Sequence, residues 1–551
     1  MGQMKVKKVQ ESGAGAKRKT AGVGRAGRKW NWVFYLLPCL GAAMFAGLAS
    51  LNLATAMWFD ESYSAYLIRG DFGQIWEMTA VDVHPPLYYF CLKLWSLVFG
   101  TSEVALRAMS VVLGAAAILL AFWLLKRWFG LRKAGVLTLF LSLSPLLIRY
   151  SQEMRMYMLA FLIVVGATLA LEVALKERRK WAWGVYTVLV ALGMWTHYFT
   201  ALVWLAELGY IVYYMRRHGR QEAVFWVYPV AVALFLPWVP SFLRQVVSVQ
   251  AGFWIPEVSL VTPLNFVAEG LSYTEASAAT GWLAVGLVAV IGLAAGLLVR
   301  GWRKRASVGR VEGLVGAEGL MGAEVLMGAE AERESLVELL MLVVVPPALL
   351  MLVSLPPLSS TYMTRYVVYA AGLLMAVVGL AVVWGWGQGG VGRQRRWERS
   401  AAVVLAGLTL TVAGVGIYKV DTRENSGEVY EVMMAMRPEL AAGEPILFQT
   451  EAAINYYDFC FYETEENRVY GVELELPWSS LRPLEEYGEN YWDEYEAEEL
   501  VAGVEGFWWV TDRGEEAAEI EGGEGVEGFD GFEVEERVGT EYYVAFHYVK
   551  R

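Results

Sequence analysis

Two carboxylates stand side by side in the stretch "MWFDESYSAY", where Asp60 and Glu61 follow the first long apolar run of the chain. Further on, "VDVHPPLYY" places His84 immediately before a pair of prolines, with Asp82 two residues earlier. A carboxylate can take the proton of a hydroxyl nucleophile, and cationic side chains can stabilise a leaving group as it becomes negative. Transfer of a group to a hydroxyl is therefore a chemistry that these residues could perform.

The composition requires a membrane environment for most of the chain. Of the 551 residues, 56% are hydrophobic and only 19% are charged, and the mean hydropathy is +0.39. A soluble domain of this length would need far more polar surface, so the sequence predicts a polytopic membrane protein. The first apolar run, 32–57, is too long for the apolar part of a signal peptide. Three scattered cysteines suggest neither a disulfide framework nor a metal cluster.

Charge is segregated along the chain and divides it into three regions. Residues 1–30 are basic and rich in Gly and Ala, which is typical of a disordered cytoplasmic arm. Residues 31–420 contain the apolar stretches, and residues 421–551 form a region outside the membrane. Within that last region, 451–500 carries fifteen acidic and two basic residues. The basic arm is short and typical of a topology signal, so no nucleic-acid partner is expected.

Eleven apolar stretches are long enough to cross a bilayer core of about 30 Å: 32–57, 104–125, 134–150, 156–175, 181–199, 200–215, 223–243, 279–299, 336–355, 366–386 and 401–418. Five breaks between them are basic, which marks the cytoplasmic side: 126–133, 176–180, 216–220, 300–305 and 393–399. All five fall inside only if 87–100 does not cross but lies as a helix in the outer interface. The prediction is an integral plasma (inner) membrane protein with about eleven transmembrane helices, a cytoplasmic N-terminus and an extracytoplasmic C-terminus.

This topology brings the polar candidates to one face of the membrane. They are Asp60, Glu61, Asp82, His84, Glu153, Arg155, His197 and Arg365. Charged groups at that depth are costly unless they are paired or used, so their convergence predicts an extracytoplasmic site. The alternative is that each residue ends a helix and reaches individually to water.

The remaining segments have simpler interpretations. Residues 306–335 form a cytoplasmic loop in which "LVGAEGLMGAEVLMGAEA" repeats a six-residue unit, as a low-complexity linker does. Beyond residue 420, "PILFQT", "FWWVTD" and "EYYVAFHYV" predict strands, and "EVYEVMMAMRPEL" predicts a helix. These elements predict a small soluble α/β domain.

The order of five short motifs resembles one enzyme superfamily. "WFDESYSAY", "HPPLYY", "RYSQEMRMYML", "WTHYF" and "TRYVVYAAGLL" together resemble the GT-C glycosyltransferases, and within them the branch of protein O-mannosyltransferases and the lipid A aminoarabinose transferase. The resemblance covers roughly residues 30–420. It implies a mannosyltransferase-like, multi-spanning enzyme with an acidic residue in its first outer loop, a polyprenyl-phosphate sugar donor and often a soluble C-terminal domain.

Carried over residue by residue, the resemblance gives Asp60 the role of general base. Glu61 would orient the acceptor or bind a cation, or it is an exposed carboxylate at a helix end. His84 stands where relatives have a basic contact to the phosphate. Glu153 lies where the family often has a further acidic residue, in the same outer loop as Arg155.

The phosphate contacts are less closely defined by the pattern. Arg155 either grips phosphate with its paired donors or forms a structural ion pair with Glu153. Arg365, with the Tyr366 hydroxyl beside it, is the second candidate for the donor phosphate. His197 is assigned no catalytic role and is expected to pack at a helix end.

The expected reaction is a single displacement with inversion, from a polyprenyl-phosphate sugar to a hydroxyl of an acceptor glycan, lipid or protein. One carboxylate suffices because the leaving group is already an anion. No cofactor is certain, and a divalent metal ion held by Asp60 and Glu61 stays an open alternative. A lipid-linked sugar flippase would need charged residues within several crossings, which look nearly free of charge, and a scaffold would not need eleven crossings.

Overall fold

The protein is described by a computed structural model covering residues 32–251, 255–314, 320–387, 393–423, 427–448, 461–464, 466–471, 500–513, 517, 520, 529 and 531–551. The predicted basic arm and most of the acidic segment 451–500 lie outside the described residues.

A bundle of long apolar helices forms the body of the protein. Its helices are α1 (Val33–Ala49), α5 (Glu103–Phe129), α6 (Leu131–Ser142), α7 (Pro145–Ser151), α8 (Tyr157–Glu177), α9 (Lys180–Thr196), α10 (Thr200–His218), α11 (Val224–Phe235), α12 (Val239–Ala251), α13 (Thr262–Ser272), α14 (Gly281–Leu314), α15 (Leu320–Val353), α16 (Val368–Gly387) and α17 (Arg393–Asp421). Short 3₁₀ turns at Leu236–Trp238 and Thr364–Val367 lead into α12 and α16.

Among the residues that the structure describes, seven helical spans are long and apolar enough to cross a membrane, or eight when the bent pair α6–α7 is taken as one. The chain is therefore an integral membrane protein. The predicted crossings 32–57, 181–199 and 200–215 correspond to α1, α9 and α10, which are shorter or less apolar. The number eleven stays a prediction for this reason.

The bend between α6 and α7 has a local cause. Pro145 opens α7 and cannot donate a backbone hydrogen bond to α6. The preceding Ser144 has extended backbone angles, and its side chain caps α7 by accepting from Leu147 N at 3.4 Å. The resulting 60° turn directs the chain after α7 back into the protein, where residues 152–156 are buried.

Three shorter helices occupy the first predicted outer loop. They are α2 (Phe59–Leu67), α3 (Phe72–Val81) and α4 (Leu87–Phe99). Asp71 begins α3 with a capping box, since its side chain accepts from Gln74 N and the Gln74 side chain accepts from Asp71 N. The thirteen residues of α4 extend about 20 Å, less than the hydrocarbon thickness, as expected for the interfacial helix predicted at 87–100.

Two sequence expectations were wrong. The predicted crossings are not nearly free of charge: Arg107, Glu172, Glu207 and Glu338 are all buried within them. Partners within the bundle accommodate Arg107, Glu172 and Glu207; for example, Glu207 accepts hydrogen bonds from Thr168 and Tyr186, each at 2.7 Å. The repeat predicted as a linker is also helical from residue 320 onward, because Ala, Glu, Leu and Met favour helices.

The C-terminal residues form a small domain of one helix and one sheet. Helix α18 (Glu428–Met436) packs against β1 (Ile446–Phe448), β2 (Val469–Gly471), β3 (Gly506–Asp512), β4 (Phe532–Gly539) and β5 (Tyr543–Lys550). The sheet order is β2-β1-β3-β5-β4, parallel at its β1 pairs and antiparallel at its β5 pairs. The predicted helix and three strands are present, while β2 and β4 were not predicted.

Two consecutive residues connect this domain to the ends of α2. The backbone N–H of Met57, just before α2, donates to the Tyr462 hydroxyl at 3.0 Å. Arg69, just after α2, forms an ion pair with Glu463 at 2.7 Å. Glu463 also accepts from Val469 N in β2 at 3.1 Å, so the sheet and the carboxylate-bearing helix are joined.

Candidate active site

Asp60 lies in the first turn of α2 and faces two guanidinium groups. One carboxylate oxygen is 3.9 Å from Arg155 Nε and 3.9 Å from Arg365 Nη1. The Asp60 side chain is 18% exposed, so a substrate can reach it. Two guanidinium groups therefore face one carboxylate at a partly desolvated position.

Glu61 points away from that group and is fully buried. Arg107 on α5 binds both of its oxygens, with Nε at 2.7 Å and Nη2 at 2.6 Å. Arg107 also donates to the carbonyls of Leu53, Thr55 and Ala56 at 2.6–3.1 Å. Glu61 is thus not the exposed helix-end carboxylate of the alternative interpretation, and its contacts fix α2 and the segment that leads into it.

Arg155 is held directly against α2. Its Nη1 donates to the Asp60 carbonyl at 3.2 Å, to Ser64 Oγ at 3.3 Å and to the Tyr89 hydroxyl at 3.1 Å. The structure therefore does not form the Arg155–Glu153 ion pair that was one sequence alternative. Instead, Arg155 fixes the distance between the 152–156 loop and Asp60.

His84 is orientated by Asp82 on one side and Arg155 on the other. Its Nδ1 lies 3.2 Å from Asp82 Oδ2, and Arg155 Nη2 is 3.4 Å from both ring nitrogens. Burial and the charge of Arg155 lower the pKa of His84 below its usual value, so the ring is neutral at pH 7. Because a carboxylate can only accept, the proton belongs on Nδ1, and Nε2 is left as an acceptor.

Glu153 is fully buried and pairs with Arg149 of α7. Burial raises the pKa of Glu153, and the charge of Arg149 opposes this effect. Arg149 also donates to the Tyr273 hydroxyl at 3.1 Å, while Ser110 Oγ donates to the Glu153 carbonyl at 2.6 Å. These contacts make Glu153 part of the wall behind Asp60.

Arg365 stands at the start of the α16 span, and aromatic rings surround it. Its guanidinium carbon is 5.7 Å from the centre of the Trp58 ring and 5.5 Å from that of Tyr366. The Tyr366 ring stacks on Phe199 at 5.3 Å and lies 5.4 Å from His197. His197 is buried, as expected of a packed helix-end residue, but it also faces the cavity described next.

A mainly apolar cavity of about 300 Å³ adjoins this cluster. His84, His197 and Tyr366 line it on the side of the Asp60 group, and Gln245, Gln250 and Thr361 contribute further polar groups to the lining. The rest of the lining comes from α10, α12 and their neighbours, and includes Leu202, Phe242, Val246 and Val249. The cavity therefore offers an apolar space that ends beside the Asp60, Arg155 and Arg365 group.

The carboxylates do not fit a divalent metal ion. Both oxygens of Glu61 are bound by Arg107, and the carboxylate of Asp60 faces two guanidinium groups. A cation there would have to displace or lie beside like charges. Among the described residues, no group of three or more His, Cys, Asp or Glu side chains is arranged to hold a metal.

Arg107 and Arg149 were not singled out from the sequence, although a signal was present. Each is an arginine inside a stretch that otherwise predicts a crossing, at 104–125 and 134–150. A charge in such a stretch points to a partner inside the protein. The partners themselves, Glu61 and Glu153, could not be paired with them from sequence alone.

The chain is similar to known proteins in both sequence and structure. Residues 83–240 match the family described as dolichyl-phosphate-mannose-protein mannosyltransferase. The structure is similar to apo ArnT from Cupriavidus metallidurans, with a TM-score of 0.58 at 12% identity over 95% of this chain and 98% of that one. The same protein bound to undecaprenyl phosphate gives 0.55 at 12% identity over 94% and 98%. No curated protein sequence matches the chain.

A second solved protein shares the architecture. The apo oligosaccharyltransferase of Archaeoglobus fulgidus matches with a TM-score of 0.50 at 12% identity, over 88% of this chain and 70% of that one. Both solved proteins are GT-C glycosyltransferases. The chain therefore has the fold of the GT-C membrane glycosyltransferases, with a small C-terminal sheet domain, which confirms the resemblance found in the sequence motifs.

Proposed function

We propose that this GT-C chain transfers a sugar from a polyprenyl-phosphate donor to an acceptor hydroxyl at the extracytoplasmic face of the membrane, with inversion. The observation that carries the proposal is the position of the Asp60 carboxylate. It is partly exposed and lies 3.9 Å from each of two arginines, near a mainly apolar cavity that His84 and Tyr366 help to line.

In the proposed reaction, Asp60 acts as the general base. It takes the proton of the acceptor hydroxyl as that oxygen attacks the anomeric carbon from the face opposite the phosphate. The bond between the anomeric carbon and the phosphate oxygen breaks, and its electron pair stays on the phosphate. One carboxylate is sufficient for this step, since the leaving group needs no proton.

Arg155 and Arg365 are proposed to hold the phosphate. Their guanidinium groups lie on the two sides of Asp60 and can each donate hydrogen bonds to the negatively charged sugar phosphodiester. As the bond breaks, the departing phosphate gains a second negative charge, and the paired guanidinium donors stabilise it further. Tyr366 adds a hydroxyl at the same side of the cavity.

His84 has a changed role relative to the sequence expectation. Its one imidazole proton is directed to Asp82, so the neutral ring cannot also donate to a phosphate through Nε2. We assign it instead to the orientation of Arg155, whose guanidinium it contacts. We assign positioning roles to Glu61 and Glu153. Their ion pairs with Arg107 and Arg149 hold in place the elements around Asp60.

We propose that the cavity binds the lipid part of the donor. Its apolar lining, with Leu202, Phe242, Val246 and Val249, suits the first units of a prenyl chain. The structurally similar ArnT has been solved bound to undecaprenyl phosphate, which supports the same class of donor here. The acceptor can be a glycan, a lipid or a protein.

Asp60→Asn tests the proposal. The amide keeps the shape of the carboxylate but cannot take the proton, and we expect a loss of turnover of about 100-fold or more. Glu77→Gln, a matched change at an exposed carboxylate of α3, should leave turnover unchanged. The assay follows release of polyprenyl phosphate from a radiolabelled polyprenyl-phosphate sugar in membranes that supply the acceptor.

Turnover of folded Asp60→Asn at the wild-type rate would refute the assignment of the base. A flippase would move the labelled donor across the membrane without releasing polyprenyl phosphate. Absence of release from the wild-type protein, with transport of the intact donor, would therefore refute the transferase itself.

A further inference from the structure

A second cavity lies on the bundle surface, away from the Asp60 site. It has a volume of about 680 Å³ and is bounded by α5, α8 and α9. Its floor is one face of α8, formed by Gly166, Leu169, Ala170 and Val173, since residues three and four apart share a helix face. The walls include Trp123 of α5 and Trp181 of α9. We refer to it as the α8 groove.

The α8 groove lies near the membrane face opposite the Asp60 site. Helix α5 passes both: Arg107 contacts Glu61 near its start, and Lys126 lines the groove near its end. At 1.5 Å per residue, the two positions are separated by about 28 Å along the helix. This distance is close to the thickness of the hydrocarbon core, so the groove opens in the other leaflet.

Of the three cations that line the groove, Lys126, Arg127 and Lys176, one has no ion pair among the described residues. Arg127 pairs with Glu177 at 2.5 Å, and Lys176 pairs with Glu172 at 2.6 Å. Within the described part of the chain, Lys126 forms no ion pair. Its ammonium lies over the rings of Trp123 at 4.5 Å and Tyr35 at 4.9 Å, which leaves its charge available to an anion.

We propose that the α8 groove binds an anionic glycerophospholipid, with the headgroup phosphate at Lys126 and an acyl chain along the α8 floor. Lys126, the one groove cation that lacks an ion pair among the described residues, matches a headgroup of net charge −1. Trp123 and Trp181 are 48% and 63% exposed, and such rings are favoured at the headgroup level. The apolar floor faces outward to the bilayer, so its occupant comes from the membrane. The sugar donor is not required for this site.

Native mass spectrometry of the full-length, detergent-purified protein tests the site. The protein is titrated with dioleoyl-phosphatidylglycerol and, separately, with the zwitterionic dioleoyl-phosphatidylcholine. We expect a phosphatidylglycerol adduct that is favoured over phosphatidylcholine and is weakened about tenfold by Lys126→Glu. Gly166→Leu should weaken it too, because a Cβ there already touches Leu120 and Leu189 at 3.5 Å, and the longer side chain fills the floor.

Arg132→Glu is the matched control. Arg132 lies in the first turn of α6, on the same side of the membrane, but it does not line the groove. The same charge reversal there should leave the adduct intact. An equal loss in Arg132→Glu would show general attraction to anionic lipid and overturn the site.

Two other results would also overturn the proposal. One is equal binding of the two lipids. The other is a phosphatidylglycerol adduct of Lys126→Glu that is as abundant as that of the wild-type protein. Lys126→Gln, which removes the charge without reversing it, serves as a milder variant if Lys126→Glu fails to fold. A thermal melting midpoint of Lys126→Gln equal to that of the wild type, without added lipid, would show that this variant is folded and that a loss of adduct comes from the groove.

Discussion

Replacement of Arg107 by methionine should destabilise the protein more than the loss of an exposed ion pair does. Arg107 is fully buried and binds both oxygens of the equally buried Glu61. In Arg107→Met the Glu61 charge keeps only the backbone N–H of Met154, at 3.2 Å, among its described hydrogen bonds. The carbonyls of the segment before α2 lose their donors at the same time.

The expected size follows from the charge that is left behind. Removing one partner of a buried ion pair costs about 3–5 kcal/mol, and the lost carbonyl contacts place the expected value at the upper end of that range. The double variant Arg107→Met/Glu61→Gln has no buried charge and should recover about half of the loss or more. Arg69→Met breaks the Arg69–Glu463 pair, in which Arg69 is 44% exposed, and should cost about 1 kcal/mol or less.

Unfolding in mixed micelles, titrated with sodium dodecyl sulfate, gives the free energies of unfolding. The four proteins are compared at one detergent ratio and one protein concentration. An Arg107→Met midpoint equal to that of Arg69→Met would refute the reasoning. A double variant no more stable than Arg107→Met would show that the uncompensated Glu61 charge is not the cause.

Three further outcomes follow from the same geometry and topology. Arg365→Lys should keep weak turnover and Arg365→Ala should lose nearly all of it, and the apparent KM for the donor should rise in steady-state kinetics. Normal kinetics for the alanine variant would remove this residue from the site. Tyr462→Phe, which removes one hydrogen-bond acceptor at the start of α2, should lower turnover about fivefold with donor KM unchanged, and a changed KM alone would contradict a positioning role. Cysteines placed in 316–330 should label only from the cytoplasm, and protease should reach 421–551 only from outside; protection of 421–551 in intact cells would reverse the predicted orientation.

The sequence by itself determined that the chain is a helical, polytopic membrane protein, because the properties involved are local; the number of crossings and their orientation stay predictions. A membrane-spanning helix needs a continuous apolar stretch, and such a stretch consists of consecutive residues that can be recognised directly in the sequence. The resemblance to GT-C enzymes also lay in contiguous motifs such as "WFDESYSAY" and "HPPLYY". The sequence predicted α18, β1, β3 and β5 for similar reasons. It did not predict β2, which is only three residues long, or the charged edge strand β4, because pairing with neighbouring strands stabilises these segments more than their own composition does.

Only the tertiary structure decided which charges act together. Asp60 and Glu61 are adjacent in the chain, yet helix geometry turns successive side chains by about 100°. Asp60 therefore faces Arg155 and Arg365, while Glu61 faces Arg107. The partner of each carboxylate comes from a different helix or loop, and the packing of those elements sets the distance between the charges. Since a buried charge requires a partner at contact distance, the roles of the two carboxylates differ through packing that neighbouring positions in the sequence do not reveal.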